Sequence, residues 1–157
     1  MIKNYTSNSK QTFDMIQKCL IEHKAQQIMF EYTYDGKIKS LNFSLKIGEM
    51  IHGFRLPARV ENVEAIFLQV KKKKIKWEYD RQRAKLSDED KQQAYRTAWA
   101  NIRDWLTSQM ALIDTEQVKI EEVFLPYAIG RDGRTYFEHI QSKNYLLSSG
   151  SEEGEII

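Results

Sequence analysis

The sequence predicts an α+β fold: a three-stranded antiparallel meander packed against helices, with one long central helix over about 88–113. Three observations carry this. The stretch SDEDKQQAYRTAWANIRDWLTSQMALI (87–113) holds no Gly or Pro and keeps a helical apolar period. Two alternating runs, IMFEYTY and KIKSLNFSL, flank Asp35-Gly36. Gly48-Glu49 then separates the second run from a third, MIHGFRL.

The long stretch opens with Ser87, a good N-cap, and Asp88, Glu89 and Asp90 place carboxylates at the positive end of the helix dipole. Tyr95, Ala98, Ile102 and Trp105 fall at helical spacing, with Leu112 resuming the row. Trp99, Leu106, Met110 and Ile113 make a second row beside it. The stripe is broader than a coiled-coil seam, as expected of a helix seated in a globular core. Arg96, Asn101, Arg103, Asp104 and Ser108 fall mostly on the other side. Trp99 and Trp105 therefore read as core residues; the competing reading, a platform for stacking bases, needs them exposed.

Ahead of this spine, Ser9 caps a helix over about 10–24 with Phe13, Ile16, Cys19 and Leu20 on one face and His23 near its end. Residues 1–8 read as a loose start. Asp35-Gly36 suits a two-residue type I′ turn, because both central positions need positive φ. Tyr34 then pairs with Lys37, and paired numbers sum to 71. Phe30 faces Leu41 and Ile28 faces Phe43 on one side of the ribbon. Met29/Asn42, Glu31/Ser40 and Thr33/Ile38 make the other, mostly polar side. His52, Phe54 and Leu56 alternate in the third strand, which Pro57 ends. RVENVEAIFLQV (59–70) reads as a helix with Val60, Val63, Ile66, Phe67 and Val70 on one face. This helix–meander–helix order resembles, in topology alone, the double-stranded-RNA-binding domain. Residues 57–63, PARVENV, depart from that family's pattern: they lack its Gly-rich loop and the Lys-Lys pair at the second helix.

After the spine, Thr115-Glu116-Gln117 opens a short helical piece that carries Val118, Val123, Phe124 and Leu125 towards Pro126. GRDGRT (130–135) is a turn, and Thr135 with Glu138 fits a capping box for a last helix containing Phe137 and Ile140. Residues 1–147 are expected to form a single domain and the polar, acidic 148–157 a disordered tail. No internal repeat is present.

At 157 residues with 41% hydrophobic and 29% charged side chains, the composition is that of an ordinary globular protein. No run approaches the roughly 18 apolar residues of a membrane span, and MIKNYTSNSK has no signal-peptide core, so a cytoplasmic location is expected. Cys19 is alone, which excludes an intramolecular disulfide and a cysteine zinc cluster, and reads as a small core residue. The net charge of +2 hides a strong polarity: residues 71–85 carry eight Lys/Arg against two Asp/Glu, whereas 86–157 carry seven against thirteen.

That polarity marks the candidate binding segment, KKKKIKWEYDRQRAK (71–85). Lys71, Lys72, Lys73, Lys74, Lys76, Arg81 and Arg83 are suited to phosphates, each contact releasing roughly one counterion. Trp77 and Tyr79, interleaved with them, are suited to base stacking, worth about 1–3 kcal/mol per base. The plainer alternative is a solvated connector in which Ile75, Trp77 and Tyr79 form a strand with one buried face. Arg131 and Arg134 are candidate additions to the basic surface. Catalytic patterns are missing. His23, His52 and His139 have no metal-ligand spacing, GRDGRT is not a phosphate loop, and no Ser sits in a nucleophile elbow. No metal or cofactor is therefore expected, and Glu121-Glu122, like Asp88-Glu89-Asp90, reads as helix-end charge.

QQAYRTAWANIRDWLTSQMALIDT (92–115) followed by EEVFLPYAI (121–129) resembles a group of small, uncharacterised proteins of phages, prophages and other mobile elements. The Tyr-Asp-Gly hairpin and Phe-Arg-Leu-Pro at 54–57 follow the same plan. The resemblance spans about 1–140. Its motifs are packing motifs, so it implies a shared fold and a setting in which small proteins handle DNA or RNA, or block a host protein. The expectation is a non-enzymatic accessory protein that binds nucleic acid. The alternative is a protein-binding module that inhibits a host defence nuclease complex of the CRISPR type, through its basic face or with its acidic C-terminal half as a DNA mimic.

Overall fold

The computed structural model describes residues 9–143 and is α+β. Its elements are α1 (Ser9–Glu22), β1 (Gln27–Tyr32), β2 (Ile38–Ile47), β3 (Met50–Pro57), α2 (Val60–Lys73), α3 (Glu78–Arg83), α4 (Asp88–Asp114), α5 (Ile120–Phe124), a 3₁₀ turn (Leu125–Tyr127) and α6 (Tyr136–Ser142). The loose start and the acidic tail expected from the sequence lie outside the described residues.

Helix α4 is the spine. Ser87 accepts from the Asp90 amide at 3.1 Å while Asp90 accepts from the Ser87 amide, so two orphan donors are met reciprocally. Its apolar stripe buries Ala94, Ala98, Trp99, Leu106 and Met110 against Ile16, Cys19 and Leu20 of α1 and the inner face of the sheet. The helix ends in a Schellman arrangement: Gln117 N–H donates to Leu112 O and Glu116 N–H to Ile113 O, with Glu116 at φ 58. That stop corrects the sequence reading of 115–117, which close α4 rather than open the next helix. Helix α5 starts only at Ile120, where the Lys119 N–H donates to the Glu122 carboxylate at 3.4 Å.

The sheet has the order β1-β2-β3, antiparallel throughout. From Gln27↔Ser44 to Glu31↔Ser40 the first hairpin keeps the register in which paired numbers sum to 71. Nearer the turn the two-residue loop gives way to a three-residue one. Thr33 pairs with Lys37, Thr33 N–H donating to Lys37 O, and Gly36 alone takes positive φ, at 84. Tyr32 therefore faces Ile38, and Lys39 is left over as a bulge. Two causes are visible. The Thr33 hydroxyl bonds the Asp35 carboxyl and the Lys37 backbone, closing the longer loop. The displaced Ile38 backbone is gripped by the spine: its N–H donates to the Tyr95 hydroxyl at 3.1 Å, and its carbonyl accepts from Trp99 Nε1 at 3.1 Å. The second hairpin turns through Gly48, φ 61, as expected.

Leu41, Phe43, Leu45, Phe54 and Leu56 make the buried inner face. Phe124 plugs its far end, with ring centroids 5.5 Å from Phe43, 5.6 Å from Phe54 and 5.9 Å from Trp105. Each such burial stabilises the fold by roughly 1.5–3 kcal/mol relative to an exposed side chain. On the opposite face Glu31, Asn42 and Arg55 form a hydrogen-bonded row, and Arg55 reaches Gly133 O at 2.9 Å. Ile129 N–H donates to Gly53 O, so the turn before α6 covers the β3 edge. His23, just past α1, donates to Cys19 O at 2.7 Å and meets Asp114 at 2.9 Å, tying the ends of α1 and α4 together.

Helix α2 departs most from expectation. It runs through Lys73 rather than stopping at residue 70, and none of its residues is buried. It packs chiefly along α4, with Val60, Val63 and Phe67 half-buried, while Ile66 and Val70 remain 43% and 47% exposed.

Candidate nucleic-acid interface

The basic segment is not a strand. Lys71, Lys72 and Lys73 form the last turn of α2, Lys74 caps it, residues 75–77 connect, and α3 begins at Glu78. Lysines propagate a helix well and suit the negative end of its dipole, so no stop signal stood at residue 70. Trp77 and Tyr79 consequently have no sheet to face, and each is 65% exposed.

The geometry divides the cations into three groups. Lys71 and Arg81 serve the local fold. Lys71 Nζ donates to Lys85 O at 2.8 Å and lies 3.5 Å from Asp90. Arg81 bonds Glu78 at 2.9 Å and the Ile75 carbonyl at 3.0 Å, folding α3 back onto the connector. Lys76 and Arg83 stand over the aromatics: Lys76 Nζ is 5.3 Å from the Trp77 ring centroid and the Arg83 guanidinium 4.7 Å from that of Tyr79. Lys72, Lys73, Lys74 and Lys85 have no ion pair among the described residues.

Asp90 is the carboxylate that meets Lys71, at 3.5 Å. The Ser87 hydroxyl and amide, with Lys71 behind them, hold it below the usual carboxylate range. It stays charged but is already occupied. Arg131 and Arg134 sit apart, in the exposed turn before α6, where Arg134 pairs with Asp132 at 2.8 Å. Trp99 is fully buried and Trp105 packs on Phe124 and Tyr127, so neither is a stacking platform.

An open groove of about 560 Å³ adjoins the basic segment, lined by Phe67, Val70, Lys71, Lys74, Leu86 and Asp90. The sequence places Phe67 and Val70 on one apolar face of the helix. The signal for a groove was a helix with apolar residues on one side followed by a charged connector, which leaves nothing to cover them. Cys19 is buried, and burial, with Glu22 and Asp114 nearby, pushes its thiol up, away from a reactive thiolate. Among the described residues no group of three His, Cys, Asp or Glu side chains is arranged to hold a metal ion. No helix there is long and apolar enough to cross a membrane.

No family model, no curated protein and no solved structure matches this chain.

Proposed function

We propose that this chain is a non-enzymatic nucleic-acid-binding accessory protein of the phage type, acting in the cytoplasm. The observation that carries the reading is the pair of exposed aromatics, Trp77 and Tyr79, each backed by its own cation and flanked by Lys72, Lys73 and Lys74. Crowding like charges costs the folded protein free energy that a polyanion relieves. A cation on one ring face leaves the other for a base, and the uncommitted lysines track the adjoining phosphates. Lys71 and Arg81 support this surface from behind.

Fluorescence anisotropy with single- and double-stranded oligonucleotides, at low and moderate salt, tests the proposal. Wild type is expected to bind with an affinity that falls as salt rises. K73A/K74A/K76A is expected to flatten the log–log salt slope by about 2 for a single strand, at about 0.7 per phosphate contact. No binding at low salt sinks the reading.

A second reading, inhibition of a host defence nuclease complex, is favoured by the exposed apolar side of α2 at Ile66 and Val70. It predicts a salt-tolerant complex that I66D weakens and K73A/K74A/K76A does not.

A further inference from the structure

We infer that residues 152–157 of the chain, Glu-Glu-Gly-Glu-Ile-Ile, dock in the groove between α2 and the start of α4 and compete there with nucleic acid. The docking stands by itself; the competition rests on the binding function proposed above. The groove has an apolar floor, Phe67, Val70 and Leu86, and a cationic rim, Lys71 and Lys74, with Lys72 and Lys73 on the same helix end. Among the described residues its one acidic lining side chain, Asp90, is already taken up by Ser87 and Lys71. An occupant must therefore be apolar in part and anionic in part. Residues 152–157 supply both: Glu152, Glu153 and Glu155, then Ile156 and Ile157.

Reach permits the contact. Phe137 of α6 lies against Arg59, 5.4 Å from ring centroid to guanidinium, so α6 sits beside the N-terminal end of α2. At 1.5 Å per residue, Phe67 and Lys74 lie roughly 12 and 22 Å along α2 from Arg59. The segment 144–157 follows α6 and extends to at most about 45–50 Å. The carboxylates would then occupy the lysines that the proposed function assigns to phosphates, so tail and oligonucleotide exclude one another.

Paramagnetic relaxation measured on the full chain tests the docking. S151C carries the spin label; Cys19 is buried, and burial raises its thiol pKa, so the label goes to position 151. Broadening of the Val70 and Leu86 methyl signals that disappears in E152Q/E153Q/E155Q is the expected result. Unbroadened methyls overturn the proposal. Broadening seen only between separately labelled chains also overturns it, because a second copy is then the occupant. Oligonucleotide titrations of the same triple variant test the competition, with affinity expected to rise several-fold over wild type. Unchanged affinity in a protein that binds refutes the competition. Broadening in a protein that binds no oligonucleotide leaves the docking standing and refutes the proposed function instead.

Discussion

Trp99 and Trp77 are the same side chain put to opposite uses. Around Trp99 everything is matched: its ring packs 5.0 Å from Phe13 and 6.5 Å from Phe30, and its N–H meets the Ile38 carbonyl. Trp77, by contrast, is 65% exposed among the described residues, with a lysine standing over one ring face. The first environment is built by elements distant in sequence, the second by its own neighbours. The difference separates side chains that hold the fold from side chains the fold leaves free for something else.

Four measurements test that separation, ordered by expected size. W99A empties the centre of the spine and is expected to lose about 3–5 kcal/mol in urea unfolding, or the cooperative transition altogether. Y95F keeps the ring but removes the oxygen that accepts from Ile38 N–H; leaving this partly buried donor unmet is expected to cost about 1 kcal/mol, the low end for buried groups, read from the same curves. The His23–Asp114 tie lies between the two environments. Partial burial opposes the imidazolium, but the Cys19 carbonyl and Asp114 carboxylate outweigh it and hold the pKa above its ordinary 6.5. A raised folded-state pKa gives stability that is full below 6.5 and lost as pH rises through the higher, folded value. Unfolding midpoints should therefore fall over that window, and D114N should flatten the profile. Both groups touch solvent, so the effect is about 0.2–1 kcal/mol. The smallest change is expected for W77A, within about 0.5 kcal/mol of wild type in stability. A large destabilisation there would show that Trp77 is structural after all, and would remove it from the binding surface.

What could be read in advance follows the same division. The α4 stripe, the inner-face pairs Phe30/Leu41 and Ile28/Phe43, and the Ser87 and Thr135 caps each lie within one helix or one hairpin, and local periodicity carries them. The loop length of the first hairpin does not. Asp35-Gly36 favours a two-residue turn on local grounds, yet Tyr95 and Trp99, 57 and 61 positions away from Ile38, reward the three-residue alternative. How much of the apolar face of α2 is covered was out of reach for a related reason. Amphipathic spacing predicts an apolar side but not a partner for it, and α4 covers only part of this one. The exposure of Trp77 and Tyr79 was equally out of reach, because alternation of Ile75, Trp77 and Tyr79 is strand-like and nothing local revealed that α2 would continue through Lys73. Phe124 was visible as an apolar residue in a short helix, but not as the ring on which Phe43, Phe54 and Trp105 converge.

The bulge at Lys39 has a consequence for cooperativity. A hairpin closed by a short loop can ordinarily form and melt by itself. Here the extra residue at Lys39 shifts Ile38 opposite Tyr32, and the groups that take up its N–H and carbonyl belong to the spine. The hairpin cannot slip by one residue without unseating α4, and α4 cannot lift away without leaving a peptide unit unsatisfied in the sheet. Sheet and spine therefore gain and lose their order together, and the Ile38 amide reports when they part.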